Sequence, residues 1–136
     1  MVPLQNWWNE LEIERSEENI HYSENINSDI LIPADLFNTV VNNLIENALR
    51  KALDHEDITV QVAIECTGNR AVLTVSDNGR AIPAEIVVNL FKQPLTSASG
   101  LGVGLLQAHK LADDCGYCLE LAENRDGRVR FRLYRR

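Results

Sequence analysis

Apolar positions mark out the elements of this chain before any chemistry is considered. Leu4, Trp7, Trp8 and Leu11 recur at i, i+3, i+4 and i+7, which predicts an amphipathic helix over residues 4 to 11. The stretch ERSEENIHYSENINSDILIP is polar and punctuated, with room for short strands around Ile20 to Tyr22 and Ile30 to Ile32. Pro33 opens a turn, and a long helix begins at Ala34 or Asp35 and runs to about Leu53. Val41, Leu44, Ala48 and Ala52 give that helix one face that can be buried. ITVQVAIEC (58–66) alternates with period two, TGN turns the chain, and AVLTVSD (71–77) alternates again, so the two read as a hairpin.

AEIVVNLF (84–91), introduced by Pro83, reads as a short helix or turn, and KQPLTSASG as a small polar loop. GLGVGLLQAHKLADD follows as a helix with a glycine-rich first turn, and Gly116 is placed to cap its end. YCLELAE and RVRFRLY close the chain as strands joined at NRDG. Interleaved helices and antiparallel strands are arranged most economically as an α+β sandwich, a single sheet with helices on one face.

Composition narrows the class without deciding it. The 136 residues, 45% hydrophobic and 24% charged, fit one domain with one core. Residues 1–32 are expected to belong to the same domain as residues 33–136. A formal charge of −7 argues against non-specific nucleic-acid binding. The alternating arginines of RVRFRLYRR read as a solvated strand face. No apolar run reaches the length of a membrane span, so the chain is expected to be cytoplasmic and without membrane contact of its own, with any anchor elsewhere in a longer parent. Cys66, Cys115 and Cys118, an odd number, suggest reduced thiols. CGYC follows a helix and enters a strand, the reverse of a redox dithiol at a helix N-terminus, and no further ligands complete a zinc site; both cysteines read as structural.

Three short segments carry candidate chemistry. In NNLIENALRKA, Asn43 and Asn47 share a helical face that Arg50 and Lys51 continue one turn later. A neutral amide oxygen suits Mg²⁺, which keeps most of its waters and is shared with substrate phosphates, and the two cations could hold those phosphates. Asp77-Asn78-Gly79 ends a strand in a carboxylate that can accept a hydrogen bond from an exocyclic amine such as adenine's, with Ile82 able to pack on a base. In Gly100-Leu101-Gly102-Val103-Gly104-Leu105, glycines at a helix start let backbone N–H groups approach an anion. Its G-x-G-x-G spacing after a polar loop is neither a dinucleotide fingerprint nor a Walker loop. Alone, the first segment is also compatible with a solvated helix face and the second with a common turn, and the third is a weak signal.

In this order, NNLIENA, DNG and GLGVGL resemble the ATP-binding domain of sensor histidine kinases, in the superfamily shared with gyrase, the Hsp90 chaperones and MutL. The resemblance spans roughly residues 33 to 134. It implies the Bergerat fold, a mixed and mostly antiparallel sheet covered by helices, with ATP between the sheet and a short lid. By position, Asn47 would coordinate Mg²⁺ with Asn43 beside it, and Arg50 or Lys51 would face the phosphates. Asp77 would bind the adenine amine and Gly79 would shape the pocket. Gly102 and Gly104, with their neighbours Gly100, Val103 and Leu105, would present the phosphate-binding backbone. Residues 84–99 would form the lid, with Phe91 as a reduced form of the family's phenylalanine segment. Ala81 stands where a second glycine is usual, and Ser97 and Ser99 stand where lid charges often occur.

The position four residues before the Mg²⁺ asparagine separates branches of the superfamily. Hydrolytic members and serine-kinase anti-sigma factors carry a glutamate base there; Asn43 cannot take a proton, and Glu46 is rotated by about 100° on the helix. In a histidine kinase the attacking imidazole sits on a separate helical dimerisation domain. His21, His55 and His109 lack the surroundings of that phospho-acceptor. The resemblance therefore implies a catalytic domain that passes the γ-phosphate to a histidine elsewhere, and from there to a response regulator, the fragment itself being monomeric. The alternatives are a degenerate nucleotide-sensing or partner-binding module and an anti-sigma-like serine kinase.

Overall fold

The computed structural model describes residues 1–53, 57–92 and 104–136. A two-residue strand β1 (Val2–Pro3) pairs with β3 (Leu31–Ile32), and between them lie helix α1 (Leu4–Glu14) and strand β2 (Ile20–Ile26). Helix α2 (Ala34–Arg50) continues into a 3-10 turn (Lys51–Leu53). The hairpin β4 (Val60–Thr67) and β5 (Arg70–Asp77), the short helix α3 (Ala84–Val87), helix α4 (Gly104–Asp114) and the hairpin β6 (Tyr117–Arg125) and β7 (Arg128–Arg135) complete the order. The main sheet runs β2-β4-β5-β7-β6, with β2 parallel to β4 and every other pair antiparallel.

Period-two alternation decides which side of the sheet is covered. Val60, Val62, Ile64 and Cys66 of β4 are buried, as are Ala71, Leu73 and Val75 of β5 and Val129, Phe131 and Leu133 of β7. Their register partners, Val62↔Val75, Ile64↔Leu73, Val75↔Phe131 and Leu73↔Leu133, stack these side chains on one face. The helices pack there, giving the expected two-layer α+β sandwich. Helix α2 buries Leu36, Phe37, Val40, Val41, Leu44, Ile45 and Ala48; Asp35 in its first turn and Arg50 in its last complement the helix dipole.

Helix α1 is tied to the same core by aromatic edges. Trp7 meets Phe37 of α2 at 5.2 Å and 84°, Trp8 meets Tyr22 of β2 at 5.6 Å and 86°, and Phe37 meets Tyr117 of β6 at 5.6 Å and 89°. Tyr22 donates its hydroxyl proton to the Arg15 carbonyl at 2.6 Å, and burial pushes its phenol up to about 12. Gly116 takes φ +79° at the end of α4, where a left-handed residue lets the chain turn into β6.

Elements differ from expectation at their ends. Helix α2 tightens after Arg50, so Lys51 leaves the α-helical face it was expected to continue. Strand β2 is seven residues long because a parallel partner, β4, satisfies its backbone from Ile20 to Ile26. Only Ala84–Val87 of the 84–91 segment is α-helical.

Candidate functional site

The three candidate segments meet where the C-terminal half of α2, the end of β5 and the start of α4 come together. Asp77 is the last residue of β5, opposite Val60 in register, and so points to the helix-covered face; its side chain is 7% exposed. A carboxylate there needs partners to offset lost hydration. Gly79 donates its N–H to Asp77 Oδ1 at 2.8 Å, and Lys51 Nζ bonds Oδ1 at 3.0 Å and Oδ2 at 3.1 Å. Lys51, expected beside Arg50 as a phosphate cation, is turned to Asp77 instead. Arg50 is exposed at the end of α2.

Gly79 is fixed by space. A Cβ there would lie 2.7 Å from Lys51 Cδ, 3.0 Å from Asp77 Oδ1 and 3.1 Å from Ile58 Cδ1. The turn around it is held from both sides. Asn78 accepts the Thr59 N–H at 2.8 Å and donates to the Asp57 carbonyl at 2.9 Å. The Ala81 N–H reaches Asp126 Oδ1 at 3.0 Å, and the Gly127 N–H reaches the Gly79 carbonyl at 2.9 Å. Ile82 is buried, its N–H donating to Asn124 Oδ1 at 2.7 Å and its carbonyl accepting from Asn124 Nδ2 at 2.9 Å. Ala81, in the place of a second glycine, carries no backbone strain: among the described non-glycine residues only Phe91 has positive φ.

On α2, Asn43 donates Nδ2 to the Thr39 carbonyl at 2.7 Å, which leaves its Oδ1 free to meet the start of α4. A Cβ on Gly104 would land on that oxygen, so the glycine is what lets the two helices approach. One turn on, Asn47 Nδ2 is buried with no hydrogen-bond partner among the described residues, as is Trp8 Nε1 far from this cleft on helix α1. Glu46 is engaged elsewhere, 2.9 Å from Arg15 Nη2, which also holds Glu17 at 2.8 Å. Leu105 is buried in the first turn of α4. Gly100, Gly102 and Val103, Ser97 and Ser99 of the expected lid, and His55 lie outside the described residues. Phe91 at φ +67° stacks on His109 of α4 at 4.4 Å and 12°, and lies edge-on to Phe131 at 6.3 Å.

Asn124, Asp126 and Asn78 were not among the expected site residues. NRDG announced a turn, but nothing local in it says that its side chains reach back 42 and 45 residues to Ile82 and Ala81. The expected solvated face of β7 is present: Arg130 pairs with Glu123, and Arg132 with Glu120, on the open side of the sheet. Cys115 is exposed and Cys118 half-buried, the motif leading from α4 into β6.

Residues 33–135 match the model of the histidine kinase-, DNA gyrase B- and HSP90-like ATPases. The chain belongs to this family. Among curated relatives of this ATPase domain, the C4-dicarboxylate transport sensor protein DctB of Rhizobium meliloti is 37% identical over 89 residues, covering 65% of this chain and 14% of that protein. The sensor protein LytS of Staphylococcus epidermidis is 33% identical over 95 residues, covering 68% of this chain and 15% of that protein. The chain therefore spans only about a seventh of the length of these relatives. Among solved structures, the catalytic domain of histidine kinase ThkA superposes with TM-score 0.76 at 22% identity, covering 98% of this chain and 93% of that one. ThkA has also been solved in complex with the response regulator protein TrrA. The fold is thus that of histidine kinase catalytic domains.

Proposed function

We propose that this chain is the ATP·Mg²⁺-binding catalytic domain of a sensor histidine kinase, which positions the γ-phosphate for a histidine on a separate dimerisation domain and so feeds a response regulator. The observation that carries this reading is the convergence of Asn43 and Asn47, the Asp77–Gly79 turn and the Gly104 helix start on one side of the sheet. Asp77 would receive the adenine amine and Ile82 would line the base. Gly104 and the glycines before it would offer backbone N–H groups to the phosphates, with Arg50 as the nearby cation.

The donor set fits the metal. Asn47 carries a buried Nδ2 without a partner among the described residues, and since the two ends of an amide exchange by a flip, its oxygen would fit that position as a ligand to a hard cation. Mg²⁺, when bound, supplies charge neutralisation to the phosphates. The domain's own work is binding and orientation. With Asn43 tied to Thr39 and Glu46 to Arg15, no carboxylate base faces the cleft from this part of α2, which supports transfer to an external imidazole over rapid hydrolysis. Residues 1–32 would belong to the same unit, since α1 is fastened to α2 and β2 by Trp7 and Trp8. No described helix is long and apolar enough to cross a membrane; the unit is proposed to act as a cytoplasmic monomeric piece of its parent.

Calorimetric titration with ATP, with and without Mg²⁺, tests the binding step. Saturable Mg²⁺-dependent binding that Asp77→Asn weakens and Asn47→Asp alters is the expected result; no binding up to millimolar ATP by the folded chain defeats it. Phosphohistidine formation on the cognate dimerisation domain tests transfer, and ATP binding without it would leave a nucleotide sensor.

A further inference from the structure

Lys51 occupies the place on which base recognition depends. An ionised carboxylate offers about four lone-pair positions. At Asp77, Gly79 takes one and the Lys51 ammonium straddles both oxygens. The same ammonium also reaches the Arg80 carbonyl at 3.2 Å, so its N–H groups are directed at the turn. Its stem lies over Gly79, with Cδ only 2.7 Å from where a Cβ would stand. Charge and space at the turn are both taken by one side chain, itself only 25% exposed.

Building on the adenine-binding role given above to Asp77, we propose that Lys51 is a specificity-determining residue that competes with the exocyclic amine of the base for the Asp77 carboxylate. The amine must share the Asp77 carboxylate with the ammonium or displace it, so affinity is held down and the amine contributes little net discrimination. Removing the ammonium uncovers a charged acceptor for the amine. One hydrogen bond to a charged group corresponds to roughly a tenfold change in affinity or more.

The test is calorimetric titration of the 136-residue chain with Mg²⁺·ATP and with inosine triphosphate, which carries an oxygen in place of the amine. The unmodified chain should bind the two within a few-fold of each other. Lys51→Met should bind ATP about tenfold tighter or more, with inosine triphosphate left behind, and Asp77→Asn in the Lys51→Met background should erase the gain. Lys51→Gln, which keeps a neutral donor for the carboxylate, should fall between and serves if Lys51→Met folds poorly. An equal gain for both nucleotides would mean that the stem merely takes up room, and would overturn the proposal. A loss of ATP affinity would make Lys51 a phosphate ligand and also overturn it, leaving the adenine site intact if Asp77→Asn still weakens ATP binding. Binding of neither nucleotide by any folded variant would defeat the adenine site together with the proposal.

Discussion

Two sets of ion pairs in this molecule use the same groups in opposite surroundings. On the open face of the sheet, Glu120 and Glu123 meet Arg128, Arg130 and Arg132, side chains that are 26–50% exposed. On the covered face, Lys51 meets an Asp77 that is 7% exposed. Water already solvates the first set, so forming those pairs gains little and losing them costs little. Asp77 has surrendered its hydration, and removing its partner leaves an uncompensated charge. The covered pair therefore constrains the site, whereas the open ladder keeps a strand edge soluble.

The largest expected effect therefore comes from breaking the covered pair. Lys51→Met should destabilise the ligand-free chain by about 2–4 kcal/mol, discounted from a fully buried pair because the lysine is partly exposed. Urea unfolding reads this directly. A change as small as that of any open-face substitution would erase the contrast between the two regions.

Next comes the contact that holds α4 against α2. Gly104→Ala drives a methyl onto Asn43 Oδ1 and should cost roughly 1–3 kcal/mol. Asn43→Ala in the same chain removes the obstructing oxygen, so the double variant should be less destabilised than the sum of the singles. Strict additivity in a thermal-unfolding cycle would show that the two helices approach elsewhere.

How much of this was legible beforehand depends on how far each contact reaches along the chain. The periodicities of α1, α2, β4, β5, β6 and β7 are local, and the Asn43–Asn47 face and the Asp77 turn sit on elements that periodicity defines. The sheet order is not local: nothing in the pattern of β2 says that it lies parallel to β4 rather than in a hairpin. Lys51 was legible as a cation near the site, but its direction was not. That depends on a switch from α to 3-10 geometry after Arg50 and on a carboxylate 26 residues away that needs a counter-charge. Asn124 looked like a turn residue because turn residues and long-range clamps draw on the same short polar side chains.

Asn124 gives the third comparison, a neutral clamp on the site side. Asn124→Ala strands both the N–H and the carbonyl of the buried Ile82 and should cost roughly 1–2 kcal/mol, between the covered pair and the ladder. Hydrogen exchange should localise the loss to the 78–82 turn, with the β6–β7 pairing retained; protection lost across the whole hairpin would mean that Asn124 supports the strands instead.

The smallest effect belongs to the ladder itself. Arg132 donates to Glu120 and also lies 5.0 Å from the Tyr134 ring centre, so Arg132→Gln removes an ion pair and a cation–π contact together. Even so, solvent reaches both partners, and the loss should stay below about 1 kcal/mol and shrink further as salt rises. The Lys51→Met penalty should be much less sensitive to salt, because counterions screen a pair in water but not a carboxylate turned into the core. Measuring both variants at low and high ionic strength therefore separates the regions by a slope as well as a size. Parallel slopes would place Asp77 in contact with solvent, and its claim to be a dry acceptor for a base would fall with that result.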